Sequence, residues 1–95
     1  MAELLKVVHD QANHRFVLML DGNAAYLRYR QREADVDFYH TFVPEVLRGR
    51  GIAERLCQTA FEYAKAQGLT VIPSCSYISG AYLKRHPEYQ PLTKS

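Results

Sequence analysis

At residues 43–53 the chain reads Val43-Pro44-Glu45-Val46-Leu47-Arg48-Gly49-Arg50-Gly51-Ile52-Ala53, and a strand-like pattern gives way here to a helical one. Two glycines stand at the entrance to the helix, and an arginine precedes each of them. Glycines leave backbone N–H groups uncovered by Cβ atoms, and the helix dipole adds partial positive charge at the same end. The stretch therefore predicts a loop that binds phosphate or pyrophosphate.

The elements that follow the loop are a helix and a strand. Apolar residues recur at helical spacing from Ile52 to Ala64, and Gly68 is a typical C-terminal cap. A strand is predicted over residues 69–73. Because a helix separates it from the strand before the loop, a right-handed crossover should make the two strands parallel. Cys75 and the glycine loop should then share one edge of the sheet, where open α/β sheets bind ligands.

Four strands are predicted before the loop, over residues 4–8, 14–20, 24–30 and 35–43. Their short connections favour an antiparallel meander. Regular alternation on the fourth strand places His40 on the same face as Phe38 and Phe42. The predicted fold class is α/β (α+β), with a mixed, mainly antiparallel five-stranded sheet and a main helix between the parallel strands four and five.

The C-terminal part of the chain is predicted to be a short helix and a tail. The helix covers residues 76–85 and stops at His86-Pro87, since proline disfavours helical backbone in the residue before it. Residues 88–95 are predicted to form a loose tail.

Length and composition indicate one soluble globular domain, predicted as residues 1–95. A chain of 95 residues with 47% hydrophobic and 23% charged residues has the composition of a globular protein rather than of a disordered or fibrous one. The formal net charge of +2 does not by itself indicate a nucleic-acid partner. Basic and aromatic residues of the third strand, Tyr26, Arg28 and Arg30 among them, are therefore interpreted as a solvated face.

The cysteines and histidines do not follow a metal-binding or disulfide pattern. Cys57 and Cys75 form no CxxC motif, and no two of the four histidines stand four residues apart, so no metal is predicted. Cys57 lies on the apolar stripe of the helix and is predicted to be buried. The sequence shows no secretory segment and no long apolar span, so we expect free thiols, no membrane association and a cytoplasmic location.

Two common phosphate loops do not fit the spacing. A Walker A loop ends in Gly-Lys-Ser/Thr, whereas Gly51 is followed by Ile52-Ala53. The dinucleotide fingerprint places a third glycine three residues after the second, and Glu54 occupies that position.

The loop resembles the acetyl-CoA loop of the Gcn5-related N-acetyltransferase superfamily, Gln/Arg-x-x-Gly-x-Gly/Ala, through Arg48-Gly49-Arg50-Gly51-Ile52-Ala53. The order of elements agrees, and Val46 stands at the first motif position. A narrower resemblance, to minimal acetyltransferase-like domains of this length, is carried by Pro44, by residues 68–77 and by Arg85-x-Pro87-x-Tyr89. These minimal domains lack the helices that wall the acceptor pocket in larger members, which implies an acceptor site that is open or completed by a partner protein.

The resemblance implies that the protein binds acetyl-CoA and transfers acetyl to an amine of unknown identity. It implies that the cofactor is held by Val43, Arg48, Gly49, Arg50, Gly51, Ile52 and Ala53. Cys75 is the candidate nucleophile or acetyl carrier, and His40 is the candidate base. Tyr77 and Tyr82 are candidates for protonating the departing thiolate, with packing favoured for Tyr82. The alternative is a non-enzymatic CoA-binding or protein-interaction module.

Overall fold

A five-stranded sheet in the order β1-β2-β3-β4-β5 is the framework of the computed structural model, which describes residues 5–94. The strands are β1 Val7–Asp10, β2 Arg15–Leu20, β3 Asn23–Arg32, β4 Asp35–Phe42 and β5 Thr70–Ile72. The first four pair antiparallel in sequence, and β5 pairs parallel to β4. The predicted mixed, mainly antiparallel sheet is confirmed.

The main helix, α1, is Ile52–Gln67, and the positive φ of Gly68 (69°) ends it as the sequence predicts. After β5 the chain forms a π-helical turn, Ile78–Tyr82, which continues into the short helix α2, Leu83–Arg85. Short 3-10 turns lie at Gln11–Asn13, Glu45–Leu47 and Pro87–Leu92.

The first strand lies later in the chain than the sequence pattern indicates. Residue 4, its predicted start, is outside the described residues, and the strand continues beyond residue 8 through His9 and Asp10. These two residues pair with Phe16 and Arg15, since the 3-10 turn and the left-handed His14 (φ 52°) make a tight connection. Cross-strand pairing, rather than the apolar run, sets the end of β1.

The core lies between α1 and one face of the sheet, which we call the inner face. Alternate residues of β3, including Leu27 and Tyr29, are buried there. The apolar stripe of α1 covers them with Leu56, Ala60, Phe61 and Ala64, together with Cys57. Cys57 is fully buried, as the sequence predicts. The opposite face, which we call the outer face, is open to solvent: Val8 is 56% and Met19 60% exposed.

The predicted loose tail is wrong for residues 88–94, which are tied to the core. Tyr89 is only 8% exposed, its ring stacks on Phe61 at 5.0 Å, and its hydroxyl donates a 2.7 Å hydrogen bond to Glu62. The Lys94 N–H donates to the Val71 carbonyl on the free edge of β5 at 2.8 Å. The prediction failed because one aromatic residue, Tyr89, anchors an otherwise mostly polar segment to the core.

A bulge at Tyr39 changes the alternation of β4. Tyr29 pairs with Phe38, but the preceding residue, Arg28, pairs with His40, so Tyr39 has no partner on β3. Before the bulge, Phe38 points to the inner face. Beyond the bulge, Thr41 is the next residue that points to the inner face. The side chains near the end of β4 therefore face opposite to the sequence-based expectation.

Phe61 should contribute more to stability than any exposed apolar residue, because its ring also meets Phe38 edge-on at 5.3 Å. We expect Phe61→Ala to lower the free energy of unfolding by about 3–5 kcal/mol, as buried phenylalanines do. Urea denaturation followed by circular dichroism measures this change. Met19→Ala is the matched control and should change stability by less than about 0.5 kcal/mol; equal effects of the two variants would contradict the assigned core.

Candidate active site

The loop between β4 and α1 has two glycines in left-handed backbone conformations, Gly49 at φ 83° and Gly51 at φ 72°. Residues with a side chain rarely adopt this conformation, so glycine is required by the shape of the loop. Leu47, only 1% exposed, anchors the loop to the core from its other end. The loop is therefore held in one shape from both sides.

A pocket of about 320 Å³ lies beside this loop. Its lining contains six of the seven residues predicted to bind the cofactor: Val43, Arg48, Gly49, Gly51, Ile52 and Ala53. The first N–H groups of α1 have no partner within the helix and are available to an anion. The guanidinium of Arg48 donates to the Val43 carbonyl at 3.2 Å, which closes the loop around the pocket.

Arg50, the seventh predicted residue, lies on the other side of the loop. Its guanidinium lies 3.6 Å from the carboxylate of Asp21, and it lines an adjacent polar pocket of about 430 Å³. Gly51 and Glu54 line both pockets. The loop therefore separates two neighbouring cavities, and its two arginines lie on opposite sides.

The pocket at the loop also contains residues that the motif does not reveal, above all Arg85. This arginine pairs with Glu54 at 2.9 Å and donates to the Tyr77 hydroxyl at 3.3 Å. Positions eight apart in a regular α-helix point about 80° apart. The π-helical turn adds one residue between them and brings Arg85 to the side of Tyr77.

The two tyrosines proposed from the sequence have different surroundings. Tyr77 lines the pocket, and burial raises the pKa of its phenol, so the hydroxyl stays protonated at neutral pH. Tyr82 is 1% exposed and stacks on Phe61 at 5.6 Å. Packing, which the sequence favours for Tyr82, agrees with this position, while Tyr77 can serve as a proton donor.

Cys75 lies where β4 and the segment after β5 part, and we call this junction the cleft. The strands pair in register only at Asp35–Asp37 with Thr70–Ile72, after which the Cys75 N–H still donates to the Phe38 carbonyl at 3.0 Å. The Cys75 thiol is partly exposed and lies 3.4 Å from the Thr41 hydroxyl. In the described part of the chain this hydroxyl is the one hydrogen-bonding partner of the thiol.

His40 is not in this cleft, which corrects its prediction as the base for Cys75. The bulge at Tyr39 turns His40 to the outer face, where it is exposed and lies 6.0 Å, centroid to centroid, from Tyr26. The position next to the thiol belongs to Thr41 instead. Regular alternation placed His40 and Phe38 on one face, and nothing in the sequence marks the bulge.

The other chemistry-bearing groups lie elsewhere. Cys57 is sealed under α1, and burial raises the pKa of its thiol well above the ordinary value. Among residues 5–94, no three His, Cys, Asp or Glu side chains come together as a metal-binding group. Within the same range, no helix has the length and apolar composition of a membrane span.

A glycine loop at the entrance to a helix, next to a cleft between two parting parallel strands, is the architecture of an acyltransferase of the Gcn5-related type. Residues 15–92 match the sequence profile of the GCN5-related N-acetyl-transferase family. The chain therefore belongs to this family.

Relatives and a solved structure agree with this assignment. Protein NATD1 of Xenopus tropicalis is 34% identical over 93 residues, which cover 95% of this chain and 84% of the relative. Human Protein NATD1 is also 34% identical, with coverage of 95% and 81%. A GCN5-like protein from Staphylococcus aureus, solved by NMR in solution, superposes with a TM-score of 0.73 at 26% identity and covers 96% of this chain and 89% of its own.

The different burial of the two cysteines predicts selective thiol labelling. Ellman's reagent should modify Cys75 in the folded protein and leave the fully buried Cys57 unmodified until urea is added. Cys75→Ser should abolish the native reaction, and its urea-unfolded form should show one thiol. Rapid reaction of two thiols in the native state would contradict this arrangement.

Proposed function

We propose that the protein binds acetyl-CoA and transfers its acetyl group to an amine. The observation that carries the proposal is that the loop pocket lies close along the chain to the contact between Thr41 and Cys75. Val43 and Tyr77 line the pocket, and each lies two residues beyond a cleft residue, Thr41 and Cys75 respectively. A ligand whose diphosphate occupies the pocket can thus extend its thioester arm into the cleft.

The charges of the pocket suit a diphosphate. Backbone N–H groups at the start of α1, together with Arg48 and Arg85, would hold the phosphate oxygens. Arg85 is 56% exposed and is now paired with Glu54, so a diphosphate would compete with this carboxylate for the same guanidinium. Arg50 would contribute from the adjacent pocket to the rest of the nucleotide.

The cleft supports acetyl transfer through Cys75. In this route the thiol loses its proton, its sulfur bonds to the acetyl carbon, and the carbon–sulfur bond to CoA breaks. The departing CoA sulfur takes a proton from the Tyr77 hydroxyl, which regains one from solvent. An amine then displaces the acetyl group from Cys75 and restores the thiol. This route needs Cys75 reduced, which fits the cytoplasmic location that we also propose.

A binding module without turnover is the second candidate. The observation that favours it is the position of His40, which leaves only a neutral hydroxyl beside the Cys75 thiol in the described chain. In that case the loop pocket would still bind CoA. The two candidates therefore differ in transfer and not in binding, so they require separate experiments.

Binding depends on the loop, and calorimetry with CoA tests it. Gly51→Val should weaken CoA affinity at least about tenfold, because valine is strained at the positive φ of this position. Gly80→Val is the matched control, since Gly80 has ordinary backbone angles and open space around its Cα. Absence of CoA binding in the parent protein, or equal affinities of all three proteins, would exclude the loop as the cofactor site.

Arg85 should act on the phosphates and not on the thioester arm. Arg85→Gln should lower the affinity for CoA by about tenfold, the size of one charge-assisted contact, and leave the affinity for phosphate-free pantetheine unchanged. The neighbouring exposed Lys84, changed to Gln, is the control and should leave both affinities at the parent values. Parallel losses for the two ligands would instead indicate a general disturbance of the pocket.

Intact mass spectrometry after incubation with acetyl-CoA tests the covalent route. The parent protein and His40→Ala should gain one acetyl group, since His40 lies on the outer face, while Cys75→Ala should gain none. An adduct that persists in Cys75→Ala would remove Cys75 as the carrier. Acetylation of a panel of amines without any adduct would indicate direct attack on the thioester, and CoA binding without either product would favour the binding module.

A further inference from the structure

The outer face of the sheet carries a continuous apolar row. Register pairing joins Val8 to Val17, Val17 to Tyr26 and Tyr26 to Phe42, so these four side chains lie side by side across β1 to β4. With strands about 4.8 Å apart, the row is roughly 14 Å long. Val8 and Phe42 are 56% and 39% exposed, and a groove of about 550 Å³ lies at the β1–β2 end of the row.

A second row on the same face has two arginines at its centre, with Asp10 at one end and His40 at the other. Two residues further along each strand, Arg15, Arg28 and His40 lie side by side. The guanidinium of Arg28 lies over the Tyr26 ring at 5.0 Å, and that of Arg30 lies over the Tyr39 ring at 4.5 Å. Arg15 pairs with Asp10 at 3.1 Å.

On this face Arg30 is the register partner of Asp37, and Arg28 is the register partner of His40. Among residues 5–94 neither guanidinium lies within ion-pair distance of a carboxylate, and each is held in place by a tyrosine. An arginine stacked on an aromatic ring keeps its N–H groups directed outward and loses little side-chain entropy when it binds. These positions are suited to carboxylates from a partner.

The apolar row ends at the proposed transfer site. Phe42 lies between Thr41, which contacts the Cys75 thiol, and Val43, which lines the loop pocket. Alternation along β4 directs Thr41 to the inner face and Phe42 to the outer face. A chain bound on the outer face would thus have its end beside the cleft in which the acetyl group is proposed to lie.

We propose that the outer face binds the acetyl acceptor and that this acceptor is an acidic polypeptide; the inference rests on the proposed transferase function. The two rows are two residues apart along each strand, about 6.7 Å, which is also the distance between alternate side chains of an extended peptide. A peptide with its amine at the cleft would place an apolar side chain on Tyr26 and Phe42. Acidic side chains two and four residues later would then meet Arg28 and Arg30.

Several features favour a polypeptide over a nucleic acid on this face. The formal net charge of only +2 does not favour binding of a phosphate backbone. Two of the four side chains in the apolar row, Val8 and Val17, are aliphatic and suit peptide side chains, whereas single-stranded nucleic acid is bound on aromatic stacking platforms. Aliphatic amines of a protein are also far better acetyl acceptors than the exocyclic amines of bases.

Peptide titration followed by NMR of the 95-residue protein tests the inference. The probe is a short peptide with a free amino terminus, one leucine, and glutamates two and four residues after it; the matched peptide carries lysine in place of glutamate. We expect the acidic peptide to shift the amide signals of β1–β4 and to bind at least about tenfold more tightly than the basic one. An oligothymidylate is titrated in parallel.

Two double variants, each of which removes two positive charges, distinguish binding at the outer face from a general effect of net charge. Arg28→Gln/Arg30→Gln should weaken acidic-peptide binding about tenfold and leave CoA affinity unchanged. Lys65→Gln/Lys84→Gln, on exposed positions of the helices, should leave peptide binding at the parent value. Equal losses in the two double variants would overturn the inference.

Other outcomes distinguish this inference from the proposed function. Tighter binding of the basic peptide, binding of oligothymidylate in place of the acidic peptide, or self-association through this face at NMR concentration would overturn the acidic-acceptor assignment. If Arg28→Gln/Arg30→Gln acetylates amines at the same rate as the parent protein, the acidic-acceptor assignment is overturned as well, while the transferase function is unaffected. Binding of the acidic peptide without acetylation would support the docking surface and contradict the transferase function.

Discussion

The parallel pairing of β4 with β5 is short, and the geometry of the candidate active site depends on where this pairing ends. Residues 35–37 and 70–72 are paired in register, and the Cys75 N–H to Phe38 carbonyl bond is the last backbone hydrogen bond between the two segments in the described chain. Beyond it β4 continues to Phe42 while the other chain turns into a helix. A longer pairing would close the cleft beside Cys75, and a shorter one would release the helix that carries Tyr77 and Arg85.

Packing in the core fixes the positions of the two segments that part beyond Phe38 and Cys75. Phe61 of α1 contacts Phe38 on β4, Tyr82 at the end of the π-helical turn and Tyr89 in the C-terminal segment, so one side chain joins the strand, the π-helical turn and the last described segment. Cooperative packing around a single ring couples the two walls of the cleft to the stability of the domain. The same coupling explains why residues 87–92 pack against α1.

The local features of the fold could be predicted from the sequence, and the long-range ones could not. The helical spacing after Gly51, the cap at Gly68 and the crossover to β5 each depend on a short stretch of residues. The bulge at Tyr39 depends on how β4 registers against β3, and the π-helical turn depends on how residues 78–82 fit against α1. For this reason the sequence predicts the positions of the helix and the crossover correctly, whereas it predicts the wrong face for His40 and does not indicate that Arg85 lines the loop pocket.

The bulge also gives β4 two separate roles within a few residues. A regular strand would present Phe38, His40 and Phe42 to the helices, bury an ionisable ring at the cleft, and direct Thr41 to solvent. With one residue inserted, Thr41 meets the thiol, while His40 and Phe42 join the open face with Tyr26 and Arg28. In the proposed function the two sides of one strand would thus serve different substrates, the inner side the acyl donor and the outer side the acceptor.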